Sequence, residues 1–293
     1  MHSEIHAPEA GPGGSSPARG DVRARLSYVI PGAHAPVMYA YEPPAGQSWE
    51  GADFDDAVVT IEDARACEER PRLHVNGFEL VDAPTAMRSF DDPAEVQAVY
   101  YREVLGIALA ATGGTCGFVF DHLVRKRDPG QATRGFGRKV QGQAPSANGR
   151  IHNDYTEASG QRRLRLVLGQ GEPADSIRRF CIVNVWRPIA RPVLDAPLAL
   201  CDSRTVAMSD AVAAEVRYPG RTGEIYLFRR SPGHRWSYYP EMHAGEAVVF
   251  KQYDSGLTGP SRFTPHCAFE HPGTPPGTPP RESIEARVLV VIE

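Results

Sequence analysis

From residue 151 to its end the chain is a succession of short apolar stretches cut by proline and glycine: "LRLVLG", "RRFCIVNVWRPI", "PLALCD", "EIYLFRR", "WSYYPEM", "EAVVFKQYD", "FTPHCAFE" and "ESIEARVLVVI". Stretches of this length, bounded by turn residues, read as strands rather than helices. Many short strands at roughly even spacing predict a barrel or a double-sheet jelly roll. The expected fold class is therefore mainly β with flanking helices (α+β), built on a double-stranded β-helix, the jelly-roll or cupin-like core. In this half only "MSDAVAAEV" suggests a short helix.

Upstream, residues 22–90 carry further strand-like pieces, "RLSYVI", "APVMYAY", "AVVTIEDA" and "NGFELV". The best helix is 92–112, where Asp92 can cap, Pro93 suits the first turn, and Val96, Val99, Tyr100, Val104, Ile107 and Ala108 form one stripe. That stripe is expected to pack on a sheet. "CGFVFDHLVRK" reads as a strand, and 128–150 as a mobile loop. Residues 1–20, rich in Pro, Gly, Ala and Ser, read as a disordered arm. The expected organisation is one domain over 21–293: an N-terminal buttress 21–127, the loop, and a metal-bearing barrel 151–293.

Charge and cysteine content narrow the function classes. With 32 basic and 36 acidic residues the formal net charge is -4, which argues against a nucleic-acid binder. The basic runs at 125–127 and 162–165 read as solvated faces or substrate-side charge. Five dispersed cysteines without a CxxC pair fit a reduced chain. No apolar run approaches the ~20 residues of a membrane helix, and no secretory h-region opens the chain. The expectation is a cytoplasmic protein acting on a small molecule, with neither nucleic acid nor membrane as partner. Oligomeric state has no signature in the sequence.

The chemistry is sought first in "IHNDY". His152 and Asp154 lie two apart, so on an extended segment they project to one side. A third ligand must come from a distant strand, and His234, His243, His266 and His271 are the downstream candidates. His266 sits in a short apolar piece ahead of the last strand, whereas His271 lies among prolines. Two histidines and a carboxylate form the facial triad of non-haem Fe(II) oxygenases, which leaves positions open for a cosubstrate and O2. Fifteen residues after His266, Arg281 and Ser283 make an R-x-S pair on one face of the last strand. A guanidinium there matches the distal carboxylate of 2-oxoglutarate bidentately. Arg287 has the same parity and is the alternative; a surface ion pair with Glu282 or Glu285 is the plainer reading of either arginine.

Further residues carry paired readings. Asn184 and Trp186 in "NVWRPI" face one side and could line the pocket, although Trp186 suits the core equally well. Lys251 could meet a substrate carboxylate or Asp254, itself read as a turn or ion-pair residue. Tyr155 and Thr156 follow the HxD pair and could position cosubstrate or substrate. His122 reads as a satisfied strand histidine.

The run "HNDYTEASGQRR", followed in order by "IVNVWRPI", "DAPLALCD", "WSYYPEM", "AVVFKQYDS" and "PHCAFEHP…RESIEAR", resembles the hydroxylase/desaturase family of fungal AsaB-type proteins. Its bacterial relatives resemble CmcJ, a cephamycin 7α-hydroxylation protein. The resemblance spans roughly residues 22 to 293. It implies an Fe(II)/2-oxoglutarate-dependent oxygenase of secondary metabolism, acting on a C–H bond by hydroxylation, desaturation or cyclisation. A methyltransferase label, sometimes given to such proteins, finds no glycine-rich strand-to-helix turn here. Two rivals stay open: a cupin-like metal enzyme that does without the 2-oxo acid, and a non-catalytic barrel in a biosynthetic assembly.

Overall fold

A computed structural model describes residues 20–130, 133, 135–137, 144–169, 172–256 and 262–292. The expected N-terminal arm lies almost wholly outside the described residues. Among the described residues there are fourteen strands: β1 Val22–Ile30, β2 Val37–Tyr39, β3 Asp53–Asp63, β4 Phe78–Asp82, β5 Cys116–Lys126, β6 His152–Asn153, β7 Arg179–Pro188, β8 Leu198–Cys201, β9 Ala211–Tyr218, β10 Arg221–Phe228, β11 Trp236–Tyr238, β12 Glu246–Asp254, β13 His266–Ala268 and β14 Glu282–Ile292. They form a nine-stranded sheet ordered β1-β3-β11-β8-β13-β6-β10-β9-β2 and a five-stranded sheet ordered β4-β12-β7-β14-β5. The jelly roll expected from strand spacing is the fold found. Segment 21–127 is woven into it, supplying β1 to β3 to one sheet and β4 and β5 to the other.

Alternation along the central strands sorts the core into layers. On β7, β12 and β14 one face carries Val183, Val185, Val249, Ile284, Ala286 and Val288. The helical stripe Val96, Tyr100, Val104 and Ala108 covers it. Each valine or isoleucine here contributes about 1.5–3 kcal/mol on burial, and this face therefore anchors the five-stranded sheet. The opposite face carries Trp186, Val248 and Phe250 toward Leu198 and Leu200 of the other sheet. The site forms in this space between the sheets.

The helix predicted over 92–112 is present from Pro93 to Thr112, but its segment Val96–Tyr100 is wound as a π-helix. That extra residue puts the buried positions four apart at 96, 100, 104 and 108. Asp92 caps it through Ala94 N at 2.9 Å, and Gly113 ends it in the left-handed conformation, φ 71°.

Two local expectations are overturned. "LRLVL" is not a strand but the second half of a helix, Glu157–Leu168. Thr156 and Ser159 form a reciprocal capping box at its start, and Gly160 lets it lie against Tyr253, where a Cβ would come within 2.7 Å of the ring. Conversely, "MSDAVAAEV" keeps only a 3-10 turn, Met208–Asp210, before β9. Pairing on both sides, with β10 and β2, overrides the helix preference of its alanines.

Candidate metal centre

β6 and β13 are neighbours, and His266 lies directly opposite His152 in their register. Their ring centroids are 4.2 Å apart. Asp154, just beyond β6, turns its carboxylate back toward them, with Oδ1 3.5 Å from His152 Nε2. One ligand atom from each of His152, Asp154 and His266 lies within 4.8 Å of the others. The sequence therefore picked out three residues, 114 positions apart at the extremes, that the fold gathers into one cluster.

The protonation pattern suits metal ligation. His152 Nδ1 donates to the Arg150 carbonyl at 2.8 Å, and His266 Nδ1 to the Thr264 carbonyl at 3.1 Å. A carbonyl can only accept, so each Nδ1 carries a proton and Nε2 is the ring nitrogen left to face the cluster. Burial, reinforced by His152, pushes the His266 pKa down to about 3, which keeps its ring neutral. The edge of Phe250 closes over His266, with ring centroids 4.8 Å apart. The Asn148 amide nitrogen is 3.2 Å from His152 Nε2.

Asp154 is held from the opposite sheet. Its Oδ2 accepts from Arg287 Nε at 2.9 Å and from Asn184 Nδ2 at 3.0 Å. Its backbone N–H donates to Gln252 Oε1 at 2.8 Å. Oδ2 is thereby occupied, and Oδ1 is left facing the imidazoles. Burial alone would raise the Asp154 pKa; Arg287 and then His152 outweigh it and hold the carboxyl well below the usual range. Arg287 also donates to Glu285 at 2.9 Å and to Asp121 at 3.0 Å. Burial opposes its charge, but these carboxylates, Asp154 first, reverse that and raise its pKa well above the ordinary value. Burial pushes the Glu285 carboxyl up against the pull of Arg287.

Arg281 and Ser283, on the same face of the last strand, contrast with this saturated cluster. Arg281 is 6% exposed and Ser283 1% exposed. Arg281 Nη1 donates to the Ala196 carbonyl, and its guanidinium carbon lies 5.5 Å from the Trp186 ring centroid. Arg281 Nε and Ser283 Oγ, however, are buried with no protein partner. Burial, and then Arg125, push the Arg281 pKa down to about 10. Leaving such buried donors unpaired is costly, and their chemistry suits a carboxylate.

The other predicted residues fall elsewhere. Thr156 caps the helix Glu157–Leu168, and Tyr155 packs in an apolar cluster with Leu164 and Phe263. Lys251 donates to Asp254 at 2.8 Å and faces the side of Cys181 and Val183 rather than the cluster. His122 is satisfied by the Tyr101 hydroxyl at 2.9 Å, and His271 by Tyr238 at 3.2 Å. Asn148 and Gln252 were missed. Gln252 had a readable signal: it lies in "FKQYDS", two residues from the inward Phe250.

The Asp254 pair sets an acid limit on stability. Burial raises its pKa, but hydrogen bonds from Arg179 and the charge of Lys251 overcome this and lower it. A carboxyl depressed in the folded state contributes stability above its unfolded pKa of about 3.9, and that contribution is lost as pH falls through the folded value. Asp254→Asn is expected to lower the melting temperature at pH 7, with the gap to the parent closing below about pH 4. A gap that stays constant in scans from pH 7 to pH 3 contradicts this.

A jelly roll with two histidines and one carboxylate gathered between its sheets is the frame of a non-haem metal oxygenase. The chain belongs to the oxidoreductase/YMDC permease-like domain family, whose model matches residues 26–291. It is 30% identical over 280 residues to the Fe(II)/2-oxoglutarate-dependent dioxygenase nvfI of Aspergillus novofumigatus, covering 91% of this chain and 95% of that one. It is likewise 30% identical to the hydroxylase/desaturase efuI of Hormonema carpetanum, over 82% of this chain and 85% of that one. The solved structure of an iron and alpha-ketoglutarate-dependent endoperoxidase, NvfI, superposes with a TM-score of 0.80 at 27% identity, covering 94% of this chain and 99% of that chain. The resemblance to hydroxylase/desaturases read from the motifs is thus borne out. Among the described residues no helix is long and apolar enough to cross a membrane.

Proposed function

We propose that this chain is an Fe(II)/2-oxoglutarate-dependent oxygenase that attacks a C–H bond of a small molecule in secondary metabolism, by hydroxylation or by desaturation or cyclisation. The observation that carries this is the pairing of a His152–Asp154–His266 cluster with two buried donors, Arg281 Nε and Ser283 Oγ, that no protein group satisfies. Iron(II) held by His152, Asp154 and His266 would supply O2 activation, for which 2-oxoglutarate would be the co-reductant, converted to succinate and CO2.

The chain's own residues do the rest. His152 and His266 offer Nε2, and Asp154 offers Oδ1. Arg287 and Asn184 hold the far oxygen of Asp154 so that one oxygen alone is free to ligate. Arg281 and Ser283 take the distal carboxylate of 2-oxoglutarate, and Trp186 lies beneath Arg281. Phe250, Leu198 and Leu200 exclude water from the enclosed side. The cupin-like rival without a 2-oxo acid gives no partner for these two donors.

The net charge of -4 and the free cysteines support a cytoplasmic enzyme that needs neither nucleic acid nor membrane. We read residues 21–293 as one catalytic domain. The test is an aerobic incubation with Fe(II), ascorbate and 2-oxoglutarate, scored for succinate. Slow release without substrate is expected. No succinate with any candidate substrate contradicts the proposal.

A further inference from the structure

The segment Asp195–Ala196–Pro197, inside the quoted stretch "DAPLALCD", has a backbone that no sequence rule predicts. Ala196 has φ +46°, one of two non-glycine residues with positive φ among those described. A side chain there crowds the following carbonyl. The conformation is doubly unfavourable because the residue before a proline is pushed toward extended geometry. Strain of this kind persists only where the surroundings over-determine it. They do so here: Val193 N–H donates to the Met242 carbonyl at 2.8 Å, and Phe269 N–H to the Pro197 carbonyl at 3.2 Å. Thr274 Oγ1 donates to the Leu194 carbonyl at 2.9 Å.

The kink has one chemical consequence. It turns the Ala196 carbonyl onto Arg281 Nη1. The neighbouring Asp195 carboxylate accepts from the Arg281 backbone N–H at 3.2 Å and lies 3.4 Å from Arg127 Nε. Arg127 N–H in turn donates to the Arg281 carbonyl at 2.8 Å. Arg281 is therefore fixed at its backbone on both sides and at one end of its fork. Nε, and Ser283 Oγ two residues on, are buried without a protein partner.

We propose that Ala196, with Asp195, is the positioning element for 2-oxo-dicarboxylate binding: its left-handed backbone aims one carbonyl at Arg281 Nη1, so that the guanidinium presents its free edge and Ser283 Oγ to the distal carboxylate. The inference rests on the reading of Arg281 as the cosubstrate residue. A pre-formed fork loses less freedom when the ligand binds, which is the general gain of preorganisation. Ala196 touches no ligand and acts through Arg281.

The test titrates 2-oxoglutarate anaerobically into the Fe(II)-loaded protein by calorimetry, with Fe(II) affinity measured separately and the KM for 2-oxoglutarate taken from turnover. Ala196→Val, whose β-branched side chain is least tolerant of positive φ, is expected to weaken 2-oxoglutarate binding roughly ten-fold. Its kcat at saturation and its Fe(II) affinity should stay within about two-fold, since the cluster is untouched. Ala196→Gly, which adopts the left-handed region freely, should keep the parental KM. Asp195→Ala should raise the dissociation constant about two- to ten-fold by removing one hydrogen bond, and it carries the test if Ala196→Val does not fold. Unchanged 2-oxoglutarate affinity in Asp195→Ala and in a folded Ala196→Val overturns the proposal. So does a parallel loss of Fe(II) affinity, which marks general loosening, and so does a glycine variant as impaired as the valine one. A parent protein that binds Fe(II) but never binds 2-oxoglutarate defeats the functional reading itself, a result separable from the others.

Discussion

Asp154→Ala eliminates measurable turnover and lowers Fe(II) affinity by more than about 100-fold, beyond the 10–100-fold typical of losing a residue that only supports a ligand. The substitution removes the only carboxylate of the His152–Asp154–His266 cluster. It also strips Arg287 of one of three carboxylate partners. Because Glu285 and Asp121 remain, the destabilisation should be about 1–3 kcal/mol, below the cost of a buried charge left wholly unpaired. Asp154→Asn separates the two effects. An amide oxygen can still accept from Arg287, so stability should largely return while iron affinity stays poor. His266→Ala should match Asp154→Ala in activity, and calorimetric Fe(II) titrations measure all three. Parental turnover in His266→Ala would displace the third ligand from its assigned place, with His271 next in sequence order.

Arg281→Ala produces the second large effect, on a different parameter. The lost contact is a charge-assisted hydrogen bond in a buried site, worth about 1.5–3 kcal/mol. That corresponds to a rise of about 10- to 150-fold in the KM for 2-oxoglutarate. Iron affinity should hardly change, because no contact joins Arg281 to the cluster among the described residues. Arg287→Met should invert the pattern: iron affinity falls about 10–100-fold with the loss of the group that orients Asp154, and the cosubstrate effect is secondary. The two arginines are six residues apart on one face of the last strand, and steady-state kinetics with Fe(II) titration tells them apart. A KM effect confined to Arg287→Met would reverse the assignment.

How far the sequence carried this account differs from residue to residue. The strands were legible because they are short apolar runs bounded by proline, glycine and other turn residues. His152 and Asp154 were legible because a spacing of two puts both on one side of an extended segment, and His266 because it stands in a short apolar piece ahead of the last strand. The helix Glu157–Leu168 was not, because "LRLVL" also alternates like a strand and its capping box closes with Ser159 rather than the commoner Glu or Gln. Strand β9 was lost to the opposite error, since alanine-rich pieces favour helix until two neighbouring strands claim their backbone. The partners of Arg287 could not be read at all. Parity put it on the inner face, but its partners Asp154 and Asp121 lie 133 and 166 positions away in the chain. The kink at Ala196 was equally hidden, because alanine before proline predicts an extended residue.

The central claim is that one site holds both iron and a 2-oxo acid, and an anaerobic visible spectrum tests it most directly. Fe(II) added to the purified protein should bind without strong colour. Addition of 2-oxoglutarate should then produce a weak visible charge-transfer band, since a 2-oxo acid that chelates the metal couples electronically to it. The band should be absent in Asp154→Ala, and in Arg281→Ala it should appear only at much higher 2-oxoglutarate. Iron binding in the parent protein with no band at any 2-oxoglutarate concentration contradicts the account and leaves the cupin-like metal enzyme as the better reading of "IHNDY".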